Sequence, residues 1–252
     1  ASKRFSGNQE THAVPIPNSD ENVLRTAVLY GANGAGKSNL FKALAYLRTM
    51  VMRPRKKNSG TGRETHRFGG QQDQPSSFDL RFVVGDKLYR FSFKVDDQRV
   101  MEEWLVWVDG GREKELYERI TDSEGKVTIE AKGFKAIGDK LAALATVGGP
   151  QNQTFLATIR ANLDPPDYGD EMRKILGWFE QNLQLIEPDI SFTQLGHLLI
   201  QDADFQTFAS EFLKSASTGV DRLEVARREL TEDQLRGLLP KLTVADALTD
   251  IQ

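Results

Sequence analysis

An α/β fold with an antiparallel β lobe and a helical subdomain is predicted for this chain by three observations. A short apolar run, Thr26-Ala27-Val28-Leu29-Tyr30, leads into a glycine-rich loop and then into apolar residues at helical spacing. Residues 78–130 alternate apolar and polar side chains between turn signals. The rest returns to a helical period. These changes divide the chain into a segment 1–52 carrying the loop and its helix, a basic mobile loop 53–77, a β lobe 78–132 and a mainly helical subdomain 133–252.

The first 22 residues are polar and turn-rich, with Pro15, Pro17, Asn18 and Asp20, and show little periodicity. The run Thr26–Tyr30 reads as a buried strand. Leu40, Leu44, Leu47 and Val51 then predict a helix from about Lys37 to Met52. Arg53, Arg55, Lys56, Lys57, Arg63 and Arg67 lie among Gly, Ser and Gln, which reads as a loose surface loop. In the β lobe, Phe78, Leu80, Phe82 and Val84 precede a Gly85-Asp86 turn. Tyr89, Phe91, Phe93 and Val95 alternate against Arg90, Ser92, Lys94 and Asp96. Strands at Trp104–Val108 and Leu116–Ile120 flank Asp109-Gly110-Gly111, and a last turn falls near Gly125, so the lobe is an antiparallel meander with one apolar face. Helices are expected at Phe134–Leu144, along Met172, Ile175, Leu176, Phe179 and Leu183, and along Phe205, Phe208 and Phe212. Leu223 and Val225 suggest a short strand, and Thr231 with Gln234 has the spacing of a capping box opening a final helix.

With 252 residues the chain has ample material for a core. The formal charge of −3 gives no global basic field, so contact with nucleic acid would need a local patch. There is no cysteine, hence no disulfide framework, thiolate metal site or cysteine nucleophile. No apolar run approaches a membrane span and no leader opens the sequence, so a cytoplasmic protein without membrane contact is expected.

The chemistry concentrates at Gly31-Ala32-Asn33-Gly34-Ala35-Gly36-Lys37-Ser38, which matches G-x-x-x-x-G-K-[ST]. A chance match in such a chain is on the order of one per cent, and the strand–loop–helix context makes chance rarer still. The glycines let consecutive amides curl inward as an anion nest, backed by the positive end of the following helix. Lys37 supplies a mobile positive charge for the β- and γ-phosphates, and the Ser38 hydroxyl a ligand for Mg²⁺. Hydrolysis also requires a carboxylate near the metal. Asp109 ends an apolar run but falls where the meander needs a hairpin turn. The run Leu185-Ile186-Glu187-Pro188-Asp189 is interrupted by proline. Asp122-Ser123-Glu124-Gly125 is read as a turn, and His12, His66 and His197 lack metal-ligand spacing.

The stretch Leu29-Tyr30-Gly31-Ala32-Asn33-Gly34-Ala35-Gly36-Lys37-Ser38-Asn39-Leu40-Phe41-Lys42-Ala43-Leu44 resembles the ABC-class "AAA family" ATPases of prokaryotes, which are related to the OLD proteins, RecF and the SMC heads. Glu102-Glu103-Trp104-Leu105, Gly111-Arg112-Glu113-Lys114, Asn152-Gln153-Thr154-Phe155-Leu156 and Thr218-Gly219-Val220-Asp221 resemble further landmarks of that family, so the likeness runs from about Thr26 to Val225. It implies an incomplete ABC-type head that sandwiches ATP and Mg²⁺ between two subunits. The implied nucleotide contacts are Gly31, Ala32, Asn33, Gly34, Ala35, Gly36, Lys37, Ser38 and Asn39, with Lys37 catalytic, Ser38 on the metal and Gln153 sensing the γ-phosphate. The signature loop, the strand ending in Asp-Glu and the switch His of such heads do not occur in this sequence, and its opening strand is absent or short. Hydrolysis is therefore expected of the complete protein. The same likeness implies a head-to-head dimer or higher homo-oligomer, and a nuclease effector such as a Toprim protein in antiphage defence. Nucleic-acid contact by Arg53–Arg67 has no independent support. Two other readings stay open: a P-loop small-molecule kinase with Arg63 and Arg67 on a lid, and a non-hydrolysing scaffold.

Overall fold

The computed structural model describes residues 9–19, 22–57, 59–65, 70, 72–131, 139–187 and 195–225. It divides the chain into two compact units, Ala1–Leu185 and Ile186–Gln252.

The first unit opens with α1 (Gln9–His12) and an antiparallel ribbon, β1 (Ala13–Pro15) against β2 (Asn22–Leu24). This ribbon corrects the expectation of a featureless N-terminus. Three-residue strands are too short to show a period of two. Asn18 turns with φ 54°, and its carbonyl accepts a 3.2 Å bond from the Gly110 amide.

A second correction concerns residues 26–30, which form no strand and lie in solvent, with Val28, Leu29 and Tyr30 66, 62 and 89% exposed. A lone strand leaves its amides and carbonyls unpaired, and no described strand lies beside this one to form a ladder. The following helix α2 (Lys37–Met52) matches the expected span. Its apolar stripe is only half used: Leu47, Met50 and Val51 enter the core, whereas Leu40 stays exposed. The helix stops at Arg53, whose extended conformation (φ −120°, ψ 119°) is the one favoured before Pro54.

The β lobe is a five-stranded antiparallel meander, as the alternation predicts: β3 (Ser76–Val84), β4 (Lys87–Val95), β5 (Val100–Asp109), β6 (Arg112–Thr121) and β7 (Val127–Glu130), in sequential order. Phe78 opposes Phe93, Leu80 opposes Phe91 and Phe82 opposes Tyr89 on the core face. The β5–β6 hairpin turns on Gly110 and Gly111 at φ 56° and 80°, a pair that non-glycine residues adopt only with strain.

Onto that face pack α2, α4 (Phe155–Asn162), α5 (Gly169–Gly177) and a π-helical turn, Trp178–Asn182, with α3 (Asp139–Val147) beside β7. Phe91 meets Phe179 edge-on at 5.7 Å, and Phe82 lies 4.5 Å from Trp178. The helices up to residue 182 thus share the core of the sheet, and the first compact unit runs to Leu185. An antiparallel sheet with one apolar face must cover it, and these helices do so.

The segment expected to be a mobile basic loop is fastened at several points along residues 55–63. The Arg55 amide bonds the Gln153 side chain at 2.9 Å, buried Thr61 bonds the carbonyls of Asp96 and Asp97, and the Tyr46 hydroxyl donates to Thr61 O at 3.0 Å. Arg63 has a side chain only 3% exposed. Its guanidinium meets Asp97 Oδ1 at 2.6 Å and the carbonyls of Gln74 and Gln72 at 2.5 and 2.9 Å. The composition was that of a loop, but its carbonyl and guanidinium partners sit far away in sequence. Arg67 and His66 lie outside the described residues. Because Arg63 is consumed by the fold, Arg63→Ala is expected to lower stability by about 2–3 kcal/mol in urea unfolding while leaving ATP affinity unchanged. Weaker ATP binding in a protein of unaltered stability would return Arg63 to the ligand.

The second unit contains α6 (Leu195–Gln201) and α7 (Ala203–Ser215), the latter capped by Asp202, which accepts from Phe205 N at 2.9 Å. Phe205, Phe208 and Phe212 do lie on one helix, with successive ring centroids 6.5 and 6.1 Å apart, and Phe208 and Phe212 face solvent. Leu223 and Val225 are not in a strand; Leu223 is held to α7 through Gln206 and Ser210. Residues 132–138, which include the start of the helix expected at Phe134, and the capping box at Thr231 and Gln234 lie outside the described residues. Among those described, no helix is long and apolar enough to cross a membrane.

Candidate phosphate-binding site

The loop between residue 30 and α2 has the backbone that its glycines permit. Gly34 and Gly36 take φ 82° and 90°, in the left-handed region that side-chain-bearing residues avoid. A Cβ at either would meet no heavy atom within 4 Å, so conformation, not space, demands glycine there. At Gly31 the constraint is proximity, since a Cβ would lie 3.1 Å from Ala35 Cβ. The Ala35 amide returns to Ala32 O at 3.2 Å, closing the turn through Asn33. Gly36 caps α2 without a side-chain bond, and the first helical turn holds no acidic residue. The positive end of α2 is therefore not compensated by its own sequence, as an anion site requires.

The Lys37 Nζ folds back across this turn and donates to Gly31 O at 2.6 Å and Ala32 O at 2.9 Å. The ammonium is thus exposed on the rim of the loop, held by the backbone of the loop itself and not by a competing carboxylate. Ser38 and Asn39 follow in the exposed first turn. The cradle fits a polyphosphate with its metal: open left-handed glycines, an uncapped helix end, an ammonium and a hydroxyl lie within eight residues.

Gln153 is not brought to this loop. Its side chain is buried, its Oε1 accepts from Arg55 N at 2.9 Å and its Nε2 donates to Thr158 Oγ1 at 2.9 Å. It sits beyond the C-terminal end of α2, whose 16 residues separate it from Lys37 by roughly 24 Å of helix rise. Its neighbour Thr154 caps α4 and bonds Met50 O at 2.6 Å. In this structure Gln153 ties the segment after α2 to α4, remote from the loop.

The acidic candidates fall as their turns dictate. Asp109 closes the β5–β6 hairpin opposite Arg112 and bonds Lys114 at 2.8 Å. Asp122 accepts from the amides of Glu124 and Lys126, both at 2.9 Å, in the turn before β7. Asp189 lies outside the described residues. Among those described, no three His, Asp or Glu side chains gather as a metal site.

One polar cluster escaped the reading of the sequence. Glu103 is fully buried on the core face of β5, where the alternation calls for an apolar residue. It accepts from the Tyr117 hydroxyl at 2.5 Å and from the Phe155 amide at 2.8 and 3.0 Å, with Arg119 Nε at 3.9 Å. Arg119 in turn donates to Val100 O at 2.7 Å and Pro150 O at 3.1 Å. Burial raises the Glu103 carboxyl above its usual range against the pull of Arg119, Tyr117 and the backbone amides. Burial likewise pushes the Tyr117 phenol up and the Arg119 guanidinium down. The cluster ties β5 and β6 to the start of α4. Its signal was a glutamate at an inward position of a strand.

Residues 27–141 match the family model described as "AAA domain, putative AbiEii toxin, Type IV TA system". The match covers a little under half of the chain and includes the loop, α2, the whole β lobe and the start of α3. It supports an AAA-type P-loop ATPase family, and with it nucleotide-binding ATPase activity. No curated protein and no solved structure gives a significant match.

Proposed function

We propose that this chain is the nucleotide-binding part of an ABC-type ATPase in which ATP and Mg²⁺ control head-to-head self-association and, through it, an effector. The observation that carries the reading is the shape of the loop: two left-handed glycines, Gly34 and Gly36, followed by an uncapped helix whose first residue is Lys37. Amides of Gly31–Asn39 and the Lys37 ammonium hold the phosphates, and Ser38 reaches the metal. The Ser38 hydroxyl would help to hold Mg²⁺, which would supply neutralisation of the phosphate charge. The part this chain plays is to bind and orient, without reorganising side chains, because its donors are main-chain groups. The matched family's description names a "putative AbiEii toxin, Type IV TA system"; a role in antiphage defence, with a nuclease as effector in the cytoplasm, is part of the proposal. The kinase alternative loses one of its two lid arginines, since Arg63 is consumed within the fold.

Sedimentation of the protein with and without Mg·ATP tests the coupling. The expected result is a nucleotide-dependent rise in mass that the Lys37→Ala variant does not show. A sedimentation coefficient indifferent to nucleotide, in protein that binds it, rules the coupling out.

A further inference from the structure

A groove of about 720 Å³ runs along the flank of α2, beginning at Asn39, the residue after Ser38. One wall is a single helical face, Asn39, Ala43 and Tyr46, spaced four and three residues apart. The opposite wall is the strap that carries Glu64 and Thr65, and Phe78 closes the groove. The strap is rigid because buried Thr61 and Arg63 pin it to the β4–β5 turn. Tyr46 is held as well, by its bond to Thr61 O at 3.0 Å and by Phe78 at 5.2 Å between centroids. A 2.9 Å ion pair, Lys42–Glu64, joins the two walls at the exposed surface.

We infer that this groove seats the nucleoside part of the triphosphate whose phosphates occupy the loop. The inference rests on the phosphate-binding reading above and extends it to the base and ribose. Phosphates wrapped around the start of α2 must direct the nucleoside away from the helix end, and the groove is continuous with that end. Along α2, Ala43 lies roughly 7.5 Å and Tyr46 roughly 12 Å beyond Ser38 at the helical rise per residue, a span comparable to the reach from terminal phosphate to base in a mononucleotide. The volume lies in the range of small-ligand sites, and the lining is mixed, with apolar Ala43 and Phe78 among polar and charged side chains that include Lys42, Glu64 and Thr65. Ala43 and Phe78 offer flat apolar contact to a base. The Asn39 amide, the Thr65 hydroxyl and the Glu64 carboxylate offer donors and acceptors to base edge and ribose. The competing seat is Tyr30, which immediately precedes Gly31 and is 89% exposed.

Two measurements on the whole chain decide this. Photolabelling with 8-azido-ATP followed by tryptic mapping separates the peptide 43–48, which carries Ala43 and Tyr46, from the peptide 26–37, which carries Tyr30. Calorimetry then compares ATP with inorganic tripolyphosphate on wild type and on the groove-filling variant Ala43→Phe. Label on 43–48, together with at least a roughly tenfold loss of ATP affinity in Ala43→Phe and unchanged tripolyphosphate affinity, is the expected outcome. Label confined to 26–37 overturns the groove but leaves the phosphate loop standing, provided tripolyphosphate still binds. Equal loss of both ligands in Ala43→Phe means the variant is misfolded, and the label on wild type then decides alone. Wild type that binds neither ligand overturns the loop reading and the groove with it.

Discussion

Lys37→Ala is expected to lower Mg·ATP affinity by about 100-fold or more, which corresponds to at least about 2.7 kcal/mol, in a protein whose unfolding midpoint hardly moves. The binding half of this follows from charge. The ammonium sits at the rim of a cradle otherwise built from neutral amides, and a charge-assisted bond to phosphate is roughly twice as strong as a neutral one. The stability half follows from exposure. The bonds Lys37 makes, 2.6 Å to Gly31 O and 2.9 Å to Ala32 O, are made in solvent, where their loss is offset by water. The same two bonds are exchanged when a polyphosphate arrives, so Lys37→Arg does not rescue: a planar fork cannot reproduce a compact ammonium in that turn. Calorimetric titration with ATP, and a thermal melt of each variant, check both halves. Wild-type affinity in Lys37→Ala would remove the foundation of the functional reading.

The sequence made the β lobe and the phosphate loop legible because both rest on short-range rules. The period of two from Phe78 to Val95, and turns that need left-handed residues at Gly85 and Gly110, do not depend on distant partners. The loop motif is equally local. Where the reading failed, the missing information was tertiary. Residues 26–30 have the composition of a buried strand, but a strand exists only beside another, and composition cannot supply one. Arg63 looked like a surface charge because its partners, Asp97 and Gln74, carry no mark in the sequence. Gln153 was assigned through resemblance alone. The structure places it at the far end of α2, with both ends of its amide occupied. The groove beside α2 was invisible for the same reason, since one of its walls is the strap that Arg63 pins.

Glu103→Ala is expected to be the most destabilising single change considered, at about 3–5 kcal/mol, with the phosphate loop chemically untouched. Removing the carboxylate takes the acceptor from the Phe155 amide at the start of α4, breaks the bond from the Tyr117 hydroxyl, and leaves the Arg119 guanidinium, 1% exposed, with carbonyl partners but no opposing charge. Losses inside the core are not made good by water, so the cost is that of uncompensated burial and exceeds the net worth of the bonds themselves. Glu103→Gln keeps an acceptor for Tyr117 or Phe155 but not the charge facing Arg119, and should fall between alanine and wild type. The decisive comparison is the double replacement Glu103→Leu with Arg119→Leu. If the pair were stabilising in itself, the double variant would be at least as unstable as Glu103→Ala. A buried ion pair that chiefly fixes which elements meet predicts the opposite, because two apolar side chains remove both desolvation costs. The double variant should then recover part of the lost stability, while the Phe155 amide and the carbonyls of Val100 and Pro150, which lose Arg119, hold it below wild type. Urea unfolding of the three proteins reads the order directly, and an order with the double variant lowest would show that the ion pair itself stabilises the fold.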